Sequence, residues 1–466
     1  MFNNDMKKAI EMITDRRSYY LNAEAYYEGI QSEVFPSKRW YSLLTNAEKY
    51  GGTDFRFNFT RTVVDSVLNR LEISNFITPS VEVNQQFADI WEMNDMDFDA
   101  DEIHRRALVY GNAYAIVWTD EEGQITIDYN SPLTTVVIYD DENPRKKKYA
   151  AKLWQTEDPN DYTKKIARLN MYYPDRIEKY WMFGEIENIV SEGGFMLMET
   201  IENPWGEVPV FHFRTSKQYG RPEHADAMGP QDAINKLVVT HMTTVDYQGA
   251  PQRYALSDSG NSAEFEDFDD DAPAEDNIGK LKNGPGELWY LKGVSKVGEF
   301  SPADHKVFTE PVKDFVRSMA SITNTPLHYF EKTGNVPSGE ALRTAEAPLL
   351  KKVQDRQITF GSTWQDLARF ILRIEGVADY NAVTVKWNNL ESMDSLDAWE
   401  VAVKKRVVGV SLEQVLIEMG YDPDLAAEIA AREDSLTDLS QNTNTNNVMM
   451  EATNGNVTDG NNSATN

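Results

Sequence analysis

Residues Ile322–Gly376 read ITNTPLHYFEKTGNVPSGEALRTAEAPLLKKVQDRQITFGSTWQDLARFILRIEG, a polar loop running into one long amphipathic repeat. From Leu342 the larger apolar side chains fall at Ala345, Leu349, Val353, Phe360, Trp364, Leu367, Ile371 and Ile374, with Lys, Arg, Asp and Gln between them. That spacing is close to the 3.6-residue period of a helix. A continuous helix from Ser338 to Glu375 would be about 57 Å long at 1.5 Å per residue. Pro348 has no N–H to donate, which predicts a kink near the first third of the helix. Upstream, Thr325-Pro326 enforces an extended or turn backbone, and Gly334, Pro337 and Gly339 break regular structure before the helix starts.

Working outward, residues 5–30 and 58–71 read as helices, the second with Val63, Val64, Val67, Leu68 and Leu71 on one face. Between Ala113 and Arg214 the pattern shortens. Ala113–Trp118, Thr134–Tyr139, Tyr149–Trp154, Arg176–Trp181 and Val208–Phe213 are β-branched or aromatic runs separated by Asp, Asn, Gly and Pro. These predict a mostly antiparallel sheet flanked by helices. A helix returns over 227–248, loops and short strands fill 250–302, notably Glu287–Leu291, and Val307–Ile322 is helical with Pro311 as a kink or early turn. Ala382–Trp387 reads as a strand returning to the sheet region. Three short helices follow at Leu396–Val408, Ser411–Met419 and Pro423–Arg432, with capping signals at Ser411 and at Asp422-Pro423. Past Arg432 there is no Lys or Arg, and nine of the last 26 residues are Asn, so too little apolar surface is available to offset ordering entropy.

Composition narrows the chemistry. A chain of 466 residues predicts two to four structural units. With 46 basic and 75 acidic residues its net charge is −29, which is unsuited to gripping phosphate over a whole surface. There is no cysteine, so thiolate nucleophiles, disulfides and cysteine zinc sites are excluded. No signal-peptide core or membrane-spanning apolar run is present, which predicts a protein made in the cytosol. Walker A, G-x-G-x-x-G, H-E-x-x-H and G-x-S-x-G motifs are absent, and the six histidines show no ligand spacing.

Asp95, Asp97, Asp99 and Asp101 alternate like a calcium loop. Counted from Asp95 or Asp97, though, the sixth position is Ala100 or Glu102 rather than Gly, and the twelfth is Arg106 or Leu108 rather than Glu. Helix N-capping by these aspartates is the expected role. Glu264–Asp276, EFEDFDDDAPAED, holds eight acids and no base. It reads as a solvated loop, with a divalent cation or a basic partner as the alternative. Arg145-Lys146-Lys147-Lys148 follows Asn143-Pro144 and reads as a hairpin turn.

The segment Asn324-Thr325-Pro326, Ser338-Gly339-Glu340-Ala341-Leu342-Arg343, Lys352-Val353, Arg356-Gln357, Phe360-Gly361 and Trp364 resembles the tunnel loop and following helix of tailed-phage portal proteins of the SPP1 type. Weaker matches keep the family's order along residues 20–432: Tyr26-Tyr27-Glu28-Gly29, Asn58–Asp65, Tyr110–Tyr114, Tyr172–Asp175, Asn203–Val210 and Val297–Asp304. The resemblance implies an α+β portal fold with a mixed helix/sheet wing, a helical stem, a small α/β clip, a long kinked tunnel helix and a helical crown. The implied boundaries are 1–226 wing, 227–248 and 303–322 stem helices, 249–302 clip, 323–393 tunnel loop, long helix and return strand, 394–432 crown, and 433–466 a disordered, acidic, Asn-rich tail.

It further implies a ring, dodecameric by analogy, at one capsid vertex, with no catalytic residue, metal or cofactor. The ring would pass double-stranded DNA weakly and without sequence preference. Its other implied partners are the terminase large subunit, a head–tail connector, and the major capsid and scaffold proteins, in the virion and in the host cytoplasm during assembly. The implied DNA-facing loop is Tyr329, Phe330, Glu331, Lys332, Thr333, Gly334, Asn335, Val336 and Pro337. Lys351 and Lys352 are candidate channel-lining residues, with pairing to neighbouring carboxylates as the alternative. Glu264, Glu266, Asp267, Asp269, Asp270 and Asp271 form a candidate partner-binding loop in the clip. Two other readings stay open on the residues alone: a glycan-cleaving enzyme with paired carboxylates and tryptophan platforms, and a capsid-associated protein that forms no ring.

Overall fold

A computed structural model describes residues 4–31, 57–159, 161–186, 194–216, 218–248, 253–256, 296–299, 306–331, 338–377, 381–388, 390, 395–419, 421, 426–427 and 429–432. The chain divides into two compact units, Met1–Asn388 and Asn389–Asn466.

In the first unit, helix α1 (Asn4–Glu28) buries Met6, Ala9, Ile10 and Ile13, a stripe at helical spacing. That stripe lies on a five-stranded antiparallel sheet of β4 (Thr135–Tyr139), β5 (Lys147–Asp158), β6 (Asp161–Tyr172), β7 (Arg176–Phe183) and β8 (Met196–Glu202), in sequence order. Val136, Ile138, Ala151, Leu153, Ala167 and Leu169 face α1. Strand alternation sends Val137 and Ala150 to the opposite face, where they meet Tyr114, Ile116 and Val210. Those three belong to a second antiparallel sheet, ordered β3 (Ile125–Asn130), β2 (Asn112–Thr119), β9 (Val210–Arg214). The mostly antiparallel sheet region is therefore present, and β3, β6 and β8 join the strands expected from sequence. The basic run 145–148 does sit at the β4–β5 turn, where Lys146 N donates to Asn143 O. Lys147 already belongs to β5: its Nζ donates to Val208 O at 3.1 Å and to Val210 O at 3.0 Å.

Helix α2 (Thr60–Leu68) leads into β1 (Ile73–Ile77), then α3 (Val81–Met93) and α4 (Met96–Tyr110). Of the four alternating aspartates only Asp95 precedes α4, the others lying within it, and the expected side-chain capping is not made. Asp95 takes a left-handed φ of 51° with no side-chain capping bond, and Asp97 instead accepts from Trp91 Nε1 at 2.8 Å. Asp99 is pushed above the usual carboxylate range by burial, with Asp95 and Asp128 adding to it. Among the described residues no group of three or more potential ligands could hold a metal ion.

Helix α5 (Met228–Gln248) packs against α6 (Lys306–Ile322) through Ile234, Val316 and Met319. Between them in sequence, β10 (Arg253–Leu256) pairs antiparallel with β11 (Lys296–Glu299). The strand expected at Glu287–Leu291 lies outside the described residues. Helix α7 (Gly339–Ile374) is a single 36-residue helix that continues through Pro348, about 54 Å at 1.5 Å per residue. It is followed by β12 (Thr384–Trp387), which returns to pair antiparallel with β1. In the second unit, α8 (Ser395–Val408) and α9 (Leu412–Glu418) follow, the latter N-capped by Ser411.

Candidate functional site

The Thr-Asn-Thr-Pro run terminates α6 by local chemistry. Thr323 Oγ1 donates to Met319 O at 2.7 Å, and Thr325 N donates to Ala320 O at 3.0 Å. Asn324 adopts the left-handed region at φ 53°, which Asn tolerates better than most residues. Pro326 then opens a single 3-10 turn, Leu327–Tyr329. This turn delivers Tyr329 and Phe330 into the protein. Phe330 packs edge-on to Phe59, with ring centroids 6.0 Å apart, beside the cluster of Val63, Ala227 and Met319. Tyr329 accepts a hydrogen bond from Arg70 Nη2 at 2.6 Å and donates to Glu346 Oε1 at 3.2 Å. Arg70 Nη2 and His328 Nε2 lie 3.5 and 3.6 Å from the same Glu346 oxygen.

The first turns of α7 contrast with the rest of the helix. From Gly339 to Pro348 no residue is buried, although Ser338 caps the start by accepting from Ala341 N. Beyond Pro348 the helix carries Leu349, Val353, Phe360, Trp364, Leu367 and Ile371, all at 0 % exposure. Between these apolar positions lies a buried ionic cluster. Glu223, 5 % exposed, accepts from Lys352 Nζ and from Arg356 Nε, each at 2.8 Å. Lys352 also donates to Thr323 O at 2.9 Å, and Arg356 Nη1 to Thr215 O at 3.0 Å. Burial alone would raise the Glu223 pKa; Lys352 and Arg356 outweigh it and hold the carboxyl below its usual range.

Further along α7, Trp364 Nε1 donates to His104 Nε2 at 2.8 Å, and the imidazole stacks on Phe360 at 5.4 Å. A donor aimed at Nε2 leaves the ring neutral with its proton on Nδ1. Burial pushes the His104 pKa down to about 3.

These contacts divide the residues singled out from the sequence. Tyr329 and Phe330 are half-buried and make the contacts to Arg70, Glu346 and Phe59 described above. Glu331 follows them, half-buried. Lys332 to Pro337 and the acidic positions 264–271 lie outside the described residues. Lys351 is exposed on α7 and pairs with Asp355 at 3.4 Å, whereas Lys352 is occupied by Glu223 and Thr323. Sequence reasoning missed Glu223, Arg70 and Glu346. No local pattern marks Glu346, and both Arg70, its partner, and Glu223, the partner of Lys352 and Arg356, lie too far away in sequence to be matched with α7.

The sequence profile described as phage portal protein, SPP1 Gp6-like, matches residues 7–433. The chain belongs to this portal family. Two portal proteins, from Mycobacterium phage D29 and Mycobacterium phage L5, are 24 % and 23 % identical over 328 residues. Each alignment covers 68 % of this chain and 64 % of the relative, so the chain spans less than two thirds of the relatives it matches. Among solved structures, a chain in the neck of a native gene transfer agent particle computed with C12 symmetry aligns at TM-score 0.46 and 13 % identity. That alignment covers 88 % of this chain and 99 % of the other. A chain from the virion of a native gene transfer agent particle aligns at TM-score 0.44 and 13 % identity, covering 87 % and 99 %. The portal family assignment agrees with the mixed helix and sheet architecture expected from the Ser338–Trp364 motif string.

Proposed function

We propose that this chain is the subunit of a phage portal, a closed ring at one capsid vertex through which double-stranded DNA is packaged, retained and ejected. The observation that carries this reading is the family match over residues 7–433. In this reading the ATP-hydrolysing terminase is a separate chain that docks on the clip, and a connector protein later takes its place. Capsid and scaffold proteins contact the outside of the ring, in the host cytoplasm during assembly and in the virion afterwards. The role is mechanical, with no catalytic residue.

Within this reading the DNA-facing part of the loop is Glu331–Pro337, with Tyr329 and Phe330 as its anchor. Lys351 is the retained channel-lining candidate, and Lys352 acts as a joint between α7 and the body of the subunit. A ring of twelve 53.1 kDa subunits has a mass of about 637 kDa. Light scattering behind a sizing column should find mass in that range, with an annular particle in negative stain. A monomer or dimer at every concentration would overturn the reading. Replacing Lys332–Asn335 by a Gly-Ser link should leave the ring intact and reduce the nuclease-protected DNA in assembled procapsids.

A further inference from the structure

Glu346 sits where three separate pieces of chain converge: Arg70 just past α2, the 3-10 turn that opens the loop, and α7 itself. We propose that Arg70, His328, Tyr329 and Glu346 form a latch that decides whether the leading segment of α7 is docked on the subunit or released from it.

The argument begins with burial. Residues 339–348 include no buried side chain, and of these only Leu342 and Glu346 are even half-buried. A helix this short, with no buried apolar face, is marginal in water. Its junction with the buried part of α7 is Pro348, which cannot donate to the Thr344 carbonyl and so removes one rung of the helical ladder. The next residue, Leu349, is fully buried, and the Lys352–Glu223–Arg356 cluster fixes the helix one turn further on. A weakly held segment therefore adjoins a firmly held one at a missing hydrogen bond, which is where a hinge costs least.

The latch supplies a tie that apolar packing does not. The Glu346 side chain is 25 % exposed and that of Arg70 18 % exposed, so solvent screens the pair only partly. The Tyr329 phenol relays between them, accepting from Arg70 and donating to Glu346. Arg70 is itself held from the other side, because its carbonyl accepts from Gln357 Nε2 at 3.4 Å on the fixed part of α7. The latch thus links both ends of the loop, Tyr329 before it and Glu346 after it, to one arginine on the rigid body. When it opens, residues 339–347 pivot at Pro348. Its geometry stands without the portal reading; only its use, setting how far the loop reaches into a bore, rests on that reading.

Hydrogen exchange of the assembled full-length chain tests the latch without DNA. In Glu346→Gln, amides 339–347 should exchange about tenfold faster, while amides 360–372 keep wild-type rates. Tyr329→Phe, which keeps the ring but removes the relay, should give a smaller change of the same kind. Adding Pro348→Ala to Glu346→Gln restores the missing donor and should slow exchange again. Unchanged exchange over 339–347 in both single variants, or equal acceleration over 360–372, would overturn the latch. Either result would leave the portal reading to be decided by particle mass.

Discussion

At Glu223 a nearly inaccessible carboxylate is matched by two cations, Lys352 at 13 % and Arg356 at 20 % side-chain exposure. Such a cluster is costly to break from the acidic side, because Glu223→Gln leaves two partly buried cations facing each other. We expect a loss of about 3–5 kcal/mol for Glu223→Gln. Lys352→Met leaves Arg356 to neutralise the carboxylate and should cost less, about 1.5–3 kcal/mol. Denaturant midpoints of the two variants check the order, and a larger loss for Lys352→Met would refute it. The buried histidines make a second prediction. Burial holds His104 at about 3, His224 at about 4 and His212 well below its ordinary value. Because the folded pKa values are depressed, the unfolded chain takes up protons below about pH 6.5 while the folded chain does not. This stability is complete above that pH and declines as pH falls. Each histidine should remove about 1.4 kcal/mol between pH 7.5 and 5.5. A thermal-midpoint series over that range should fall, and His224→Gln should make the fall shallower by about a third.

At the scale of elements, glycines mark where two pieces of backbone or a large ring come close. A Cβ at Gly220 would lie 1.7 Å from Gly111 O, a backbone atom that cannot move aside. At Gly361 on α7 it would meet Trp387 Nε1 of β12 at 3.3 Å, which a small shift of the ring relieves. Gly220→Ala should therefore cost about 3 kcal/mol or more, and Gly361→Ala less than about 1 kcal/mol once its helix propensity gain is included. Comparable losses in the two, read from chemical unfolding, would contradict this. The same elements show what the sequence made legible. Helix α7 was readable because its apolar period persists over many turns, and it runs unbroken through Pro348, where the sequence predicts a kink. Strands β4, β5, β7 and β9 announced themselves by β-branched and aromatic runs. Strand β6 did not, because Lys164, Lys165 and Arg168 interrupt its apolar positions with charges at half-buried or exposed sites. Glu223 was hidden for another reason: a lone carboxylate before a histidine has no local pattern, and its cations come from a helix more than a hundred residues away.

For the whole molecule, Gln441–Asn466 contains no aromatic and no basic residue. Deleting it should leave the assembled mass per subunit otherwise unchanged and the thermal midpoint within about 2 °C. A larger drop would show that this segment contributes to the fold. The pairing of β1 with β12 bears on how the subunit is made. Ile73 is partnered by Trp387 and Ile77 by Thr384, so a strand synthesised early has no neighbour until the ribosome has passed the end of the long helix. At 5–20 residues per second that interval is roughly 15–60 s. Phe76 meets Phe87 and Trp91 early, at ring-centroid distances of 4.5 and 5.0 Å, but Trp364, 6.4 Å away, joins that aromatic group only when the long helix is made. The nascent chain thus carries an open strand edge, and an aromatic group lacking its last member, for most of its synthesis, a state that chaperones recognise. Yield of soluble subunit should depend on translation speed and chaperone supply more than on the stability of the finished protein.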